Sequence, residues 1–249
     1  MRNLLITIVF LFSTACTSET PAPVLRIASD ATFAPFHLVD GNGTPTGFDI
    51  ELARAVAREA GFDPQVVVLD YAALFSGLKD NTHDVVAATT GITPEREEIY
   101  LFSEPYFATC QVAVVRIGPG EARSVADLGD KRIGASGAGT SFKAMQTLDG
   151  ELVSLADGQG QSALADGRID AWIVDEFDGV GVARASQGKL LVLPEPVALE
   201  RYGFVLGRDQ QALKSQLDRA LAVLMERGEV DRLKAEFGIE RGPDWPVAW

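Results

Sequence analysis

From Leu25 onward the chain alternates short β-rich apolar runs with segments whose apolar residues recur at helical spacing, and Gly, Pro, Asn or Asp stand between them. That alternation predicts parallel sheets with crossover helices. In the first half, strands are expected at Leu25–Ser29, Gln65–Leu69, Asp84–Thr89 and Gln111–Arg116. Asp49 precedes Ile50, Leu52, Ala53, Val56, Ala57 and Ala60, with Gly61 just beyond, which predicts an amphipathic helix capped by Asp49. Further helical segments run over Ala73–Lys79 and Pro94–Ile99. The loop Ile117-Gly-Pro-Gly-Glu121 breaks the composition and suggests a domain boundary. A second series follows, with strands at Lys131–Ala135 and Asp170–Val174, and ends at the strand Lys189–Leu193; the remainder begins with a strand at Tyr202–Leu206. Leu213, Leu217, Leu221 and Leu224 then form one apolar stripe, the core face of a helix, before a short helix Val230–Phe237.

The two series read as copies of each other. At a constant offset of 86, Ser76 falls on Ser162, Leu78 on Leu164, Asp80 on Asp166 and Asp84 on Asp170. Each copy is a helix, a polar turn and a strand. The run Arg26 to Phe33 is echoed by Arg132 to Phe142 in the same way. Two sister α/β lobes are implied, and 249 residues at about 150 per domain leave room for both.

Composition narrows the partners. Lys and Arg total 22 against 35 Asp and Glu, for a net charge of −13, and such a surface repels phosphate backbones, so nucleic acid is not expected as a partner. The N-terminus has a basic start, an apolar run Leu4–Phe12 and the small residues Ser13-Thr14-Ala15. That order predicts a secretory signal over 1–15, shorter than the about 20 apolar residues that cross a bilayer. The segment 13–16 resembles a lipobox, which would make Cys16 a lipid anchor followed by a tether over 16–23. Cys110, the second of two cysteines, is expected as a buried thiol rather than half of a bridge.

In open parallel sheets ligands bind beyond the carboxyl ends of the strands. The repeats put Asp30 to Phe33 and Thr89-Thr90-Gly91 at such ends in one lobe, and Gly137 to Ser141 and Asp175 in the other. Hydroxyls, bare amides at helix starts and the guanidinium of Arg96 suit a carboxylate, while Asp175 suits an ammonium. Phe33, Phe36 and Tyr71 could supply flat apolar walls, so the complement is an α-amino acid zwitterion.

The runs Leu25–Phe36, Gly47–Ala53, Asp84–Ala87, Gly91–Glu97 and Phe102–Tyr106 resemble those of the family 3 extracellular solute-binding proteins, the amino-acid receptors of ABC importers. The resemblance implies the two-lobe periplasmic-binding-protein fold, a flytrap. One lobe would comprise 24–111 and 202–249 and the other 112–201, with hinges near 111–115 and 197–202. It implies a cofactor-free monomer in the periplasm or cell envelope that passes an amino acid to a membrane permease. Residue by residue, Phe33 and Tyr71 match the aromatic pair around the ligand, Arg96 the carboxylate-binding arginine, Thr89 and Thr140 the hydroxyl positions. Asp175 matches the acid that receives the α-ammonium, and Asp30 a position that in some relatives touches a cationic side chain. Gly91 departs from the pattern: many relatives carry Ser or Thr there, so only its backbone N–H remains to the ligand.

Other chemistries fit less well. Arg96 could pair with Glu95 or Glu98 on a solvated helix, and Asp175 could cap the helix after it. His37 and His83 make neither a metal site nor a catalytic triad. The segment Asp40 to Glu51 mimics an EF-hand loop, but Pro45 stands where glycine must turn the chain, so a hairpin turn is expected. No nucleotide-binding glycine pattern is present. The rival function is a periplasmic cyclohexadienyl dehydratase on the same fold, with Glu176 or Asp175 as general acid.

Overall fold

The computed structural model describes residues 21–137 and 139–239. The signal segment, Cys16 and residues 16–20 of the tether lie outside the described residues. The first half contains β1 (Val24–Ser29), β2 (Thr32–Phe33), β3 (His37–Val39), β4 (Pro45–Thr46), α1 (Phe48–Glu59), β5 (Asp63–Val68), α2 (Tyr71–Lys79) and β6 (Val85–Val86). Next come α3 (Pro94–Glu97), β7 (Leu101–Phe102) and the long β8 (Phe107–Arg116). The second series is β9 (Arg132–Ser136), α4 (Thr140–Met145), β10 (Glu151–Leu155), α5 (Gly160–Ala165), β11 (Ala171–Asp175), α6 (Glu176–Ala185) and β12 (Leu190–Val192). The chain closes with β13 (Ala198–Tyr202), β14 (Val205–Leu206), α7 (Gln211–Glu226) and α8 (Glu229–Glu236).

The duplication is visible in the topology. One sheet runs β5-β1-β6-β14-β7, with β1 parallel to both neighbours. The other runs β10-β9-β11-β8-β12, with β9 parallel to both neighbours. In each, the first strand sits between the second and third, joined by crossover helices, and an antiparallel strand follows. The repeated Arg and Asp hold equivalent joints. Asp84 accepts from the backbone N–H, Nε and Nη2 of Arg26, and Asp170 accepts from the same three groups of Arg132. These charge-assisted forks hold each carboxyl below its usual range.

Apolar faces fill as the periodicity predicts. Leu217, Leu221 and Leu224 of α7 pack with Leu52, Val56 and Ala57 of α1 and Leu25 and Ile27 of β1 in one core. Two further clusters cover the faces of the second sheet, around Ile133 and Ile173 and around Val112 and Val114. Cys110 is a buried free thiol in the latter, as expected. The segment after Val39 is a hairpin turn in which Asp40 accepts from the N–H groups of Asn42 and Thr44, both at 2.8 Å.

Four expectations change. Helix α1 is not capped by Asp49: its N-cap is Gly47, and its first amides donate to Pro35 and Phe36 carbonyls, which frees the Asp49 carboxylate to work elsewhere. The strand expected over Asp84–Thr89 pairs only at Val85–Val86, because the chain leaves the sheet to form the loop carrying Thr89. The strand expected over Tyr202–Leu206 is split, with Tyr202 on β8 and Val205 on β6 and β7, since the chain changes sheets at Gly203. The chain does not pass between sheets at loop 117–121. Strand β8 has already joined the second sheet through β11 and β12, and the loop only turns the chain at that sheet's margin. The passage between sheets is made by β8 and β13, antiparallel neighbours from Phe107↔Tyr202 to Gln111↔Ala198.

Candidate functional site

The residues singled out above all stand beyond carboxyl ends of parallel strands or on the crossover pair. Asp30 follows β1, Tyr71 opens α2 after β5, Thr89 follows β6, Thr140 opens α4 after β9, and Asp175 ends β11. In the first lobe they are organised by Asp49. This fully buried carboxylate accepts from the Thr89 N–H at 2.5 Å and the Tyr106 hydroxyl at 2.9 Å. Burial pushes it up to about 6 against the pull of His37 and those two donors. Thr89 has φ 41, a left-handed conformation that costs a β-branched residue about 1–3 kcal/mol, so the clamp from Asp49 is what holds it there. Its hydroxyl lies 3.2 Å from His37 Nε2, and His37 Nδ1 lies 3.0 Å from Asp30 Oδ1. Burial raises the Asp30 carboxyl, but hydrogen bonds from His37 and Thr32 outweigh it and leave the group below its usual range.

Arg96 sits in the short helix α3, where Thr93 Oγ1 accepts its N–H at 3.3 Å and Pro94 occupies the first turn. Its Nη1 donates to the Gly91 carbonyl at 2.7 Å, fixing the fork against the loop. Among the described residues no carboxylate stands within 4 Å of the guanidinium; Glu95 instead reaches across to Lys143 of α4, at 2.7 Å. The remaining Arg96 donors are therefore available to a carboxylate. Phe33 is half-buried and stacks on Phe36 at 5.4 Å, while Tyr71 is 49% exposed with its edge on Phe75. Phe36 is fully buried, which makes it core rather than wall.

The second lobe and the crossover strands contribute acids. Asp175 caps α6 by accepting from Phe177 N–H at 2.9 Å, and its other oxygen accepts from the Tyr202 hydroxyl at 2.5 Å. Desolvation pushes Asp175 up to about 7, opposed by those two donors and reinforced by Glu200 and Asp178. Glu200, on β13, is only 8% exposed; Gln111 Nε2 on β8 donates to its Oε2 at 2.6 Å, and Thr140 also bonds to it. Ser141 in turn donates to Gln111 Oε1 at 2.6 Å. Burial raises Glu200, against Gln111, Thr140 and the field of Arg96. Glu200 feels the charge of Arg96, and Asp175 that of Glu200; in contacts, Arg96 donates to the Gly91 carbonyl, and Gly91 pairs with Tyr202, whose hydroxyl donates to Asp175. The lobes approach closely there: a β-carbon at Gly91 would lie 3.2 Å from the Thr140 methyl. A cavity of about 200 Å³ opens alongside, lined by Ile92 and Thr93 from one lobe, Thr140 and Lys143 from the other, and Gln111 and Glu200 from the crossover pair.

Of the predicted residues, Thr140 lines this cavity, while Asp175 lines a separate one with Ser136, Ser141 and Trp172. His37 serves the site through Asp30 and Thr89. Glu200, Gln111 and Tyr202 were not foreseen, because they stand on the crossover strands, outside both copies of the repeat. The arrangement offers a fork for an anion, a carboxylate for a cation and a backbone loop between them.

Comparisons with known proteins identify the family and the fold. The family described as bacterial extracellular solute-binding proteins, family 3, matches residues 25–240. A probable histidine-binding protein of Neisseria gonorrhoeae is 28% identical over 239 residues, 92% of this chain and 88% of the relative. The structure of the arginine-, lysine-, histidine-binding protein ArtJ from Geobacillus stearothermophilus is similar at a TM-score of 0.73 and 28% identity, covering 88% of this chain and 96% of that one. An ancestral amino-acid-binding protein described as a precursor of cyclohexadienyl dehydratase is similar at a TM-score of 0.72 and 26% identity, covering 86% and 95%.

Proposed function

The chain belongs to the bacterial extracellular solute-binding proteins, family 3, and on that premise we propose that it captures an amino acid between two lobes and delivers it to an ABC permease. The observation that carries the reading is the short chain of contacts from Arg96 to Asp175: Arg96 donates to the Gly91 carbonyl, Gly91 pairs with Tyr202, and the Tyr202 hydroxyl donates to Asp175. Arg96 forks onto the α-carboxylate, and the Thr89, Gly91 and Thr140 backbone and hydroxyl groups complete that end. Asp175 receives the α-ammonium on a lone pair not used by Phe177 or Tyr202. Phe33 and Tyr71 flank the aliphatic part, and Asp30, oriented by His37, faces the side chain. We assign one lobe to 24–111 with 202–249 and the other to 112–201, with β8 and β13 as the hinge.

The groups that hold the ligand come from both lobes, so it binds the closed state better than the open one, and that difference drives closure. In this reading the protein is a monomer outside the cytoplasm, held to a membrane by lipid on Cys16, and it binds rather than converts its ligand. A thermal-shift screen of the twenty amino acids beside prephenate and arogenate tests this. A stabilising shift with an amino acid and no product absorbance from either acid is expected; turnover without an amino-acid shift would put the dehydratase in its place.

A further inference from the structure

Both oxygens of Asp175 are held by residues whose rings lie in one aromatic cluster of the first lobe. Oδ1 accepts from the Phe177 N–H at 2.9 Å, and Oδ2 from the Tyr202 hydroxyl at 2.5 Å. The Phe177 ring stands edge-on to Phe36 at 4.8 Å and tilted against Phe107 at 5.8 Å. Tyr202 stacks on Phe107 at 5.9 Å and meets Phe36 edge-on at 6.1 Å. Phe36 in turn stacks on Phe33, the wall assigned to the ligand.

The Phe177 ring departs from the course of its own helix. The body of α6 lies on the second sheet: a β-carbon at Gly179 would stand 2.7 Å from the Val112 side chain, so the bare backbone there sits directly against β8. Two residues earlier, the ring packs instead with the core built on the first sheet. Glu176, between them, is buried and accepts from the Thr109 hydroxyl of β8 at 3.3 Å. The start of α6 is therefore pinned at three successive residues, to β13, to β8 and, through Phe177, to Phe36 of the first lobe. A phenyl ring packed on second-sheet residues alone would serve the stability of that lobe. A ring that crosses fixes where that lobe's acid stands relative to the first-lobe wall.

We propose that Phe177 is a positioning residue for ligand binding: its ring seats the start of α6 in the first-lobe aromatic cluster and so holds Asp175 in register with Phe33 and Arg96. The inference rests on the reading of Asp175 as the acceptor of the ligand ammonium. Edge-on ring contacts are directional, so a smaller side chain at 177 lets the helix start shift while the charge of Asp175 stays. A shift of about 1 Å takes a charge-assisted N–H···O bond out of its range of about 2.7–2.9 Å.

The test is a double-mutant cycle read by calorimetry on the full chain. The twenty L-amino acids are titrated into wild type, and the tightest binder is carried through Phe177→Ala, Asp175→Asn and the double variant. With Asp175 present, Phe177→Ala is expected to raise Kd at least about tenfold; in the Asp175→Asn background it is expected to raise Kd less than about twofold, because the group it positions is gone. Phe177→Leu keeps apolar bulk without the edge-on geometry and runs through the same cycle as the safeguard on folding. It is expected to raise Kd about threefold, again only where Asp175 is present. A loss by the same factor in both backgrounds overturns the inference, since the ring then supports the fold as a whole rather than Asp175. So does a Phe177→Ala chain that binds as tightly as wild type. Either result leaves the proposed function standing, whereas binding of no amino acid by wild type overturns both.

Discussion

A carboxyl group held at about 7 inside a cleft makes binding depend on pH, and the direction follows from the cause. Desolvation raises Asp175 above its unfolded value, so the folded empty protein takes up a proton more readily than the unfolded chain. Its contribution to stability is present in acid and is lost as pH rises toward about 7. An incoming ammonium reverses the preference, since it favours the ionised acid and so releases a proton on binding below that pH. For a ligand carrying an α-ammonium, Kd should rise by up to about tenfold per pH unit as pH falls below neutrality, while Asp175→Asn flattens the profile and weakens α-amino acids more than their deaminated analogues. Calorimetry in buffers of different ionisation enthalpy reads both the affinity and the released proton; a wild-type profile as flat as the variant's would remove Asp175 from the ammonium site. At this scale the sequence singles out Asp175, Arg96 and Thr89 as candidates because each lies at a strand end or in a motif. Glu200 has no such signature, as its role depends on which strand lies against Gly91, a contact made across 109 positions of the chain.

Between residue and lobe, the legible part of the fold was the part set by periodicity. The stripe of α7 and the repeat of strand, helix and strand are local patterns, and both are present as read. The ends of elements were less legible, because tertiary partners replaced the local caps. Helix α1 shows why: at Gly47, with φ 117, a β-carbon would lie 2.4 Å from the Phe36 carbonyl oxygen. Glycine lets the chain pass close enough for Phe48 and Asp49 to donate to Pro35 and Phe36, so no side-chain cap is needed. The Asp49 carboxylate is thereby freed to hold Thr89 and Tyr106. Gly47→Ala should cost about 2–4 kcal/mol, from strained backbone and two displaced amide bonds, and should weaken ligand binding through Thr89. Chemical denaturation checks the first effect and calorimetry the second; a variant as stable as wild type would show that the turn adapts and that α1 does not set the loop.

Whole-molecule closure is a balance between contacts that exist without ligand and those the ligand adds. The Glu95–Lys143 pair bridges the lobes at the surface, with both side chains substantially exposed, and such pairs contribute little. The bond from Tyr202 to Asp175 is shielded, but Tyr202 belongs to the crossover strand and can follow either lobe. The larger share of closing energy must then come from the ligand ends, with Arg96 at one of them. Its only side-chain hydrogen bond among the described residues is the single part-buried one to the Gly91 carbonyl, so Arg96→Ala removes one neutral-acceptor contact from the empty protein. That substitution should leave the Tm of the empty protein nearly unchanged and abolish the ligand-induced shift, which for wild type reaches about 2.7 kcal/mol at a ligand concentration of 100 times Kd. Differential scanning calorimetry with and without amino acid separates the two quantities. If the empty variant instead loses several degrees, Arg96 braces the loop rather than the ligand, and the opposed charges across the cleft would have to be explained as structure.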